Sequence, residues 1–225
     1  MKKSICLLAS LIISSAVFKA EGAGKVPRLA IGAEAGTTGL GVSAWLTLNK
    51  QWSLNAVMAS AEESGDYSTE GLDYAGDIDL DNDIIALNWH PGGGSFHFIL
   101  GMILTDNFVS VAGQPEDGNT FNIGGESFTQ DQVESITGDV EWEKSSAPYL
   151  GIGFARKLSK DGLSFYINAG VMEAGSAEAS LSAVGNVVDQ AEFQALLRVE
   201  EEDLNEELDE YEFYPVVRLG LMFRF

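Results

Sequence analysis

Three groups of residues have types and spacings suited to chemistry. Asp77-Ile-Asp79-Leu-Asp81-Asn-Asp83 sets a carboxylate at every second position, in the manner of a calcium loop. Such a loop also needs a central glycine for its sharp turn and a glutamate at its twelfth position. Both are missing, so the run reads as an extended strand with its acids facing water. His90 and His97 flank the turn Pro91-Gly-Gly-Gly-Ser95 and could meet across a hairpin. Two ligands are too few for a closed metal site. Beside Trp89 and Phe96, the pair fits an aromatic girdle at a membrane interface. No nucleophile elbow or metal motif occurs elsewhere, so the sequence predicts no enzyme, no metal and no cofactor. Glu34 and Arg218 form the third group, a candidate ion pair joining the two ends of the chain.

Strands must position these residues. At the C-terminus, Val217, Leu219, Leu221, Phe223 and Phe225 alternate with Val216, Arg218, Gly220, Met222 and Arg224. A period of two is a strand. The same alternation recurs over 29–35, 41–48, 52–58, 85–89, 96–105, 149–155 and 163–172, which makes eight strands in all. In each, large apolar residues hold one face, and glycine, small or polar residues crowd the other. A soluble barrel points its large residues inward. A membrane barrel points them at lipid and keeps a tight interior. The predicted fold class is therefore all-β, an eight-stranded antiparallel transmembrane barrel.

The connections agree. Short turns at 49–51, 91–95 and 159–162 belong at the periplasmic end. Two connections of roughly thirty residues, 112–144 and 175–212, belong outside, with a shorter loop at 62–83 and a tight one at 36–39. In the last loop Phe193, Leu196, Leu197, Leu204 and Leu208 recur at helical spacing. Eleven acids and one base, Arg198, lie between Asp189 and Glu212. This predicts an acidic amphipathic helix that could fold over the mouth, with disorder as the alternative, since like charges repel.

The N-terminus reads as a signal peptide. Lys2 and Lys3 precede an apolar run from Ile5 to Phe18, and Ala20-Glu21-Gly22 is the best small-x-small cleavage site. The expected organisation is a cleaved 1–22 and one barrel domain over 23–225. Cys6, the only cysteine, leaves with the signal, so disulfides are excluded. No later run is long and apolar enough for a membrane helix.

Cleavage takes the formal net charge from −21 to −23 by removing Lys2, Lys3, Lys19 and Glu21. Nucleic acid is thereby an unlikely partner. The charges also sort along the barrel axis. Lys25, Arg28, Lys50, Arg156, Lys157, Lys160 and Arg224 fall near the periplasmic end, and the acids cluster in 62–83, 116–143 and 189–212. Asp79, Asp81 and Asp83 are candidates for an acidic mouth, which would concentrate cations and repel anions.

Strand parity turns Glu34, Trp45, Tyr149, Tyr166, Asn168 and Arg218 towards the lumen. The first and last strands must be neighbours to close the ring. Glu34 lies six residues above Arg28 and Arg218 six above Arg224, so the two are expected at similar height, as a salt bridge plugging the lumen.

Two further comparisons of motif rest on resemblance. Arg218, Gly220, Phe223 and Phe225 resemble the C-terminal signal read by the outer-membrane barrel assembly machinery. Gly32-Ala-Glu34-Ala-Gly36-Thr-Thr-Gly39, Ala147-Pro-Tyr-Leu-Gly-Ile-Gly-Phe154, Tyr214-Pro-Val216 and, more loosely, the stretch 121–130 resemble the carbapenem-associated outer-membrane proteins, the CarO-type ornithine uptake porins. That resemblance implies an eight-stranded barrel and uptake of basic amino acids.

Two functions follow as expectations. One is a narrow cation-preferring channel or uptake porin for small basic solutes. The other is a closed barrel with a structural or surface-interaction role through its acidic loops. Outer-membrane lipid and lipopolysaccharide are the expected surroundings.

Overall fold

The structure, a computed structural model, describes residues 28–69, 72–115, 119–142, 144–155 and 162–225. The signal-peptide reading, Lys25, Arg156, Lys157, Lys160 and most of the turn at 159–162 lie outside the described residues.

Eight strands form a closed antiparallel ring. In spatial order they are β1 (Arg28–Gly36), β2 (Gly39–Thr47), β3 (Trp52–Thr69), β4 (Leu72–Trp89), β5 (Phe96–Thr105), β10 (Ser146–Ala155), β11 (Gly162–Glu173) and β13 (Phe213–Arg224). The first and last strands close it, Ala30 lying opposite Arg224 and Gly36 opposite Arg218. Closure leaves the ring no unpaired edge.

The outer surface is an apolar belt. Ile31, Val42, Ile85, Leu100, Ile152, Phe165, Leu219 and Leu221 are all exposed. In water each would forgo roughly 1.5–3 kcal/mol of burial, and a belt this continuous belongs against lipid. Trp52, Trp89, Phe96, Phe98, Phe223 and Phe225 form a girdle at the periplasmic end, with Trp52 stacked on Trp89 and Trp89 on Phe98.

The short turns hold as expected where they are described. Asn49 Oδ1 accepts from the backbone N–H of Gln51 and Trp52 at 2.8 and 3.0 Å, closing the β2–β3 turn. At the other end the β1–β2 hairpin needs only Thr37 and Thr38 between its strands, and Gly39 supplies the left-handed φ of 106°. Thr37 fastens that hairpin to the last strand, donating through N to Val217 O and through Oγ1 to Pro215 O.

The external end departs from the expected loops. The stretch 62–83 is not a loop: β3 and β4 each run 18 residues and rise well past the rim, and 77–83 is the extended strand expected in place of a calcium loop. The stretches 112–144 and 175–212 contain β6 (Phe108–Pro115), β7 (Thr120–Ile123), β8 (Glu126–Thr129), β9 (Ser135–Trp142), β12 (Ala177–Val184) and a helix α1 (Ala191–Leu208). Together β3, β4, β6, β9 and β12 continue one side of the barrel as a five-stranded wall. The junction is smooth: β4 pairs Asn82 with Thr105 of β5 and Asp79 with Phe108 of β6 in one register. On the opposite side β13, β1 and β2 stop at the rim.

Helix α1 seats on this wall. Phe193 and Leu197 are buried with Ile123 and Val133, against Leu72, Phe128, Ile136 and Leu181. The helix thus runs along the β12 edge, on the wall's apolar face and against the β7–β8 hairpin. Most of its acids sit on the remaining, exposed face, while Glu200 accepts from Gly124 N at 2.6 Å and Glu201 from Leu181 N at 2.8 Å.

Candidate functional site

Side chains fill the ring. Trp45, Tyr149, Tyr166 and Arg218 are each at most 1% exposed, and Asn168 is fully buried. Tyr166, Tyr149 and His97 fit in a narrow barrel because a glycine lies opposite each on a neighbouring strand. Gly220 pairs with Tyr166, Gly101 with Tyr149, and Gly153 with His97. A Cβ on Gly220 would run into the Tyr166 ring, and one on Gly153 into Asn168 and His97. The glycine-rich inner face is therefore the complement of its own aromatic residues.

One polar network crosses the lumen. Arg218 Nη1 donates to Glu34 Oε1 at 3.0 Å, with both side chains 1% exposed. The Tyr166 hydroxyl donates to the other Glu34 oxygen and lies 3.1 Å from Ser43 Oγ. With its carboxamide oxygen towards Arg218, Asn168 accepts from Nη2 at 3.2 Å and donates to His97 Nε2 at 3.0 Å. Arg218 also lies over the Tyr149 ring, 5.7 Å from its centroid. Trp45 packs edge-on against both Tyr166 and His97. A buried pair so heavily hydrogen-bonded offsets part of the desolvation cost of its two charges.

Three placements differ from the sequence reading. Glu34 and Arg218 are not level: Glu34 is opposite Gly220, two residues further along β13, and Arg218 reaches back to it. Counting residues from each end of a strand ignores the register stagger that ring closure requires. His90 and His97 are not in the girdle. Both are fully buried inside the ring, their centroids 4.7 Å apart, with His90 3.4 Å from Ser53 Oγ. The signal was present: His97 alternates with the outward Phe96 and Phe98, and parity turns it inward.

The acidic mouth is the third difference. On β4, Asp79, Asp81 and Asp83 share the parity of the outward Ile85 and Trp89, so they face away from the lumen axis. Pairing carries this face across the wall, where Glu62, Asp66, Asp73, Asp77, Asp139, Glu141 and Glu178 join them. The wall's other face is apolar, with Leu72, Leu80, Val109, Ile136, Val140, Trp142 and Leu181. Asp79, Asp81 and Asp83 coat the outside of a wall; they do not line a pore.

The remaining candidates lie in β13. Phe223 and Phe225 point outward, 48% and 62% exposed, while Gly220 faces in beneath Tyr166.

This architecture matches solved structures. Crystal structures of CarO and CarO2 from Acinetobacter baumannii superpose with a TM-score of 0.65 each, over 90% of this chain and 100% of theirs, at 23% and 22% identity. The chain has the CarO fold. That fold is a β-barrel of the outer-membrane type, and the ring, the girdle and the long segments beyond one rim all belong to it. No protein-family model and no curated protein matches the sequence. Identity with CarO at this level speaks for the shared fold and leaves the site residues to be argued from this chain.

Proposed function

We propose that this protein is a closed outer-membrane barrel whose working surface is its external wall. The filled lumen carries this reading. A solute crossing the ring would have to separate Glu34 from Arg218 and displace Trp45, Tyr149 and Tyr166, all buried. Breaking such a pair by itself costs about 3–5 kcal/mol.

Charge supports the same conclusion. The buried charges of the network, Glu34 and Arg218, offset each other. The acids that favoured uptake of basic solutes stand on the outside of the wall, where they do not focus a field down the barrel axis.

Planar-bilayer recording with the purified protein tests the proposal. The expected result is no resolved conductance step, with no uptake of labelled lysine or ornithine into proteoliposomes. Stable cation-selective steps would overturn it in favour of the narrow uptake porin.

A further inference from the structure

The wall has two edges, and the chain treats them differently. At β12 the edge is covered. Asn205 of α1 accepts from Ala179 N at 2.7 Å and donates to Ala179 O at 3.0 Å, and Glu201 accepts from Leu181 N at 2.8 Å. Side chains of the helix thereby stand in for a missing strand.

At β3 the edge is open. The β2 strand pairs with β3 only as far as Ser60, opposite Leu40. Beyond it β3 continues to Thr69 with β4 on one side. Among the described residues no backbone or side-chain group bonds the other edge of Glu62 to Ser68, and all seven of these residues are exposed. Seven residues of strand make roughly 23 Å of unpaired edge at 3.3 Å per residue. An edge this long and regular is a template for another strand.

We infer that this edge accepts an extended cationic peptide segment as an added strand. The inference deepens the surface-interaction reading above and rests on it only in taking the wall as the working surface. Side chains along the edge select the partner. Glu62, Ser64, Asp66 and Ser68 line the outer face; Glu63, Gly65 and Tyr67 line the inner. Behind Glu62 and Asp66 stand Asp73, Asp77 and Asp79 of β4 on the same face. An added strand with a basic residue at every second position would set those bases against this acidic face and its apolar or small residues against Gly65 and Tyr67. A second copy of the chain is the wrong occupant, because antiparallel β3–β3 pairing would set two acidic faces side by side.

The test uses the full mature chain in micelles and a nine-residue peptide of alternating lysine and valine. Hydrogen exchange of the barrel is measured with and without it. The expected result is binding, with exchange in 62–68 slowed at least tenfold and the ring unchanged. Glu62→Gln with Asp66→Asn should weaken binding about tenfold. The same peptide with every amide N-methylated keeps its charge and should not bind. Three outcomes would overturn the inference: no binding, equal binding of the N-methylated peptide, or protection that maps away from 62–68. Protection of 62–68 in the free protein together with a dimeric mass would also overturn it, in favour of a second copy. Bilayer recording on the same preparation reports on closure of the lumen separately, so the two readings fail independently.

Discussion

Arg218 lies opposite Gly36 across the seam, yet its Nη1 donates to Glu34 two residues away along β1. The seam between the first and last strands is therefore held by a diagonal charge pair inside the lumen as well as by backbone pairing. Tyr149 packs over Arg218 and Tyr166 hydrogen-bonds Glu34, so both partners are shielded from water.

Arg218→Ala should lower the stability of the barrel by about 3–5 kcal/mol, since it strands the buried Glu34 carboxylate. Replacing both partners, with Glu34→Gln and Arg218→Met, should cost less than Arg218→Ala alone. Urea unfolding in micelles, followed by tryptophan fluorescence, measures both. An unchanged midpoint for Arg218→Ala would show that the pair does not hold the seam.

Gly220→Ala should destabilise by about 1–3 kcal/mol, because the added methyl meets the Tyr166 ring. The loss should largely disappear in a Tyr166→Ala background, where the space is already empty. A double-mutant cycle over the four proteins reads the coupling. Additive losses would mean that Gly220 matters for some reason other than room for the ring.

Asn205→Ala should uncover the β12 edge. Each lost hydrogen bond contributes about 1 kcal/mol, so exchange at Ala179 should quicken by about fivefold to tenfold while the ring stays protected. Exchange at Ala179 that is as slow as in the parent protein would show that the helix covers the edge by packing alone.

Phe225→Ala should separate assembly from stability. Its ring lies outside, 62% exposed, and meets Phe223 edge-on, and the substitution keeps the backbone N–H that donates to Leu29 O at 2.9 Å. Insertion into the outer membrane of cells should fall sharply, while barrel refolded in detergent keeps its urea midpoint. An equal loss in both assays would make the residue part of the fold and not an address.

Much of the ring was legible because its code is local. A period of two with large residues on one face identifies each spanning strand, and it turned Glu34, Trp45, Tyr149, Tyr166, Asn168 and Arg218 inward without any knowledge of neighbours. The wall was only partly legible: the alternating run 77–83 reads as an extended strand, but Val109 to Val111 alternates too briefly to stand apart from a loop. His97 was misplaced for a related reason: its aromatic neighbours were weighed above its parity.

The chain by itself determined the eight strands of the ring and which face of each points outward. These depend on the order of residues within one strand. Tertiary structure alone decided the two-residue stagger between Glu34 and Arg218, the meeting of His90 and His97 inside the ring, and the five-stranded wall with one edge covered and one open. Those depend on register between strands distant in sequence, and register is set when the ring closes and every backbone group must find its partner at once.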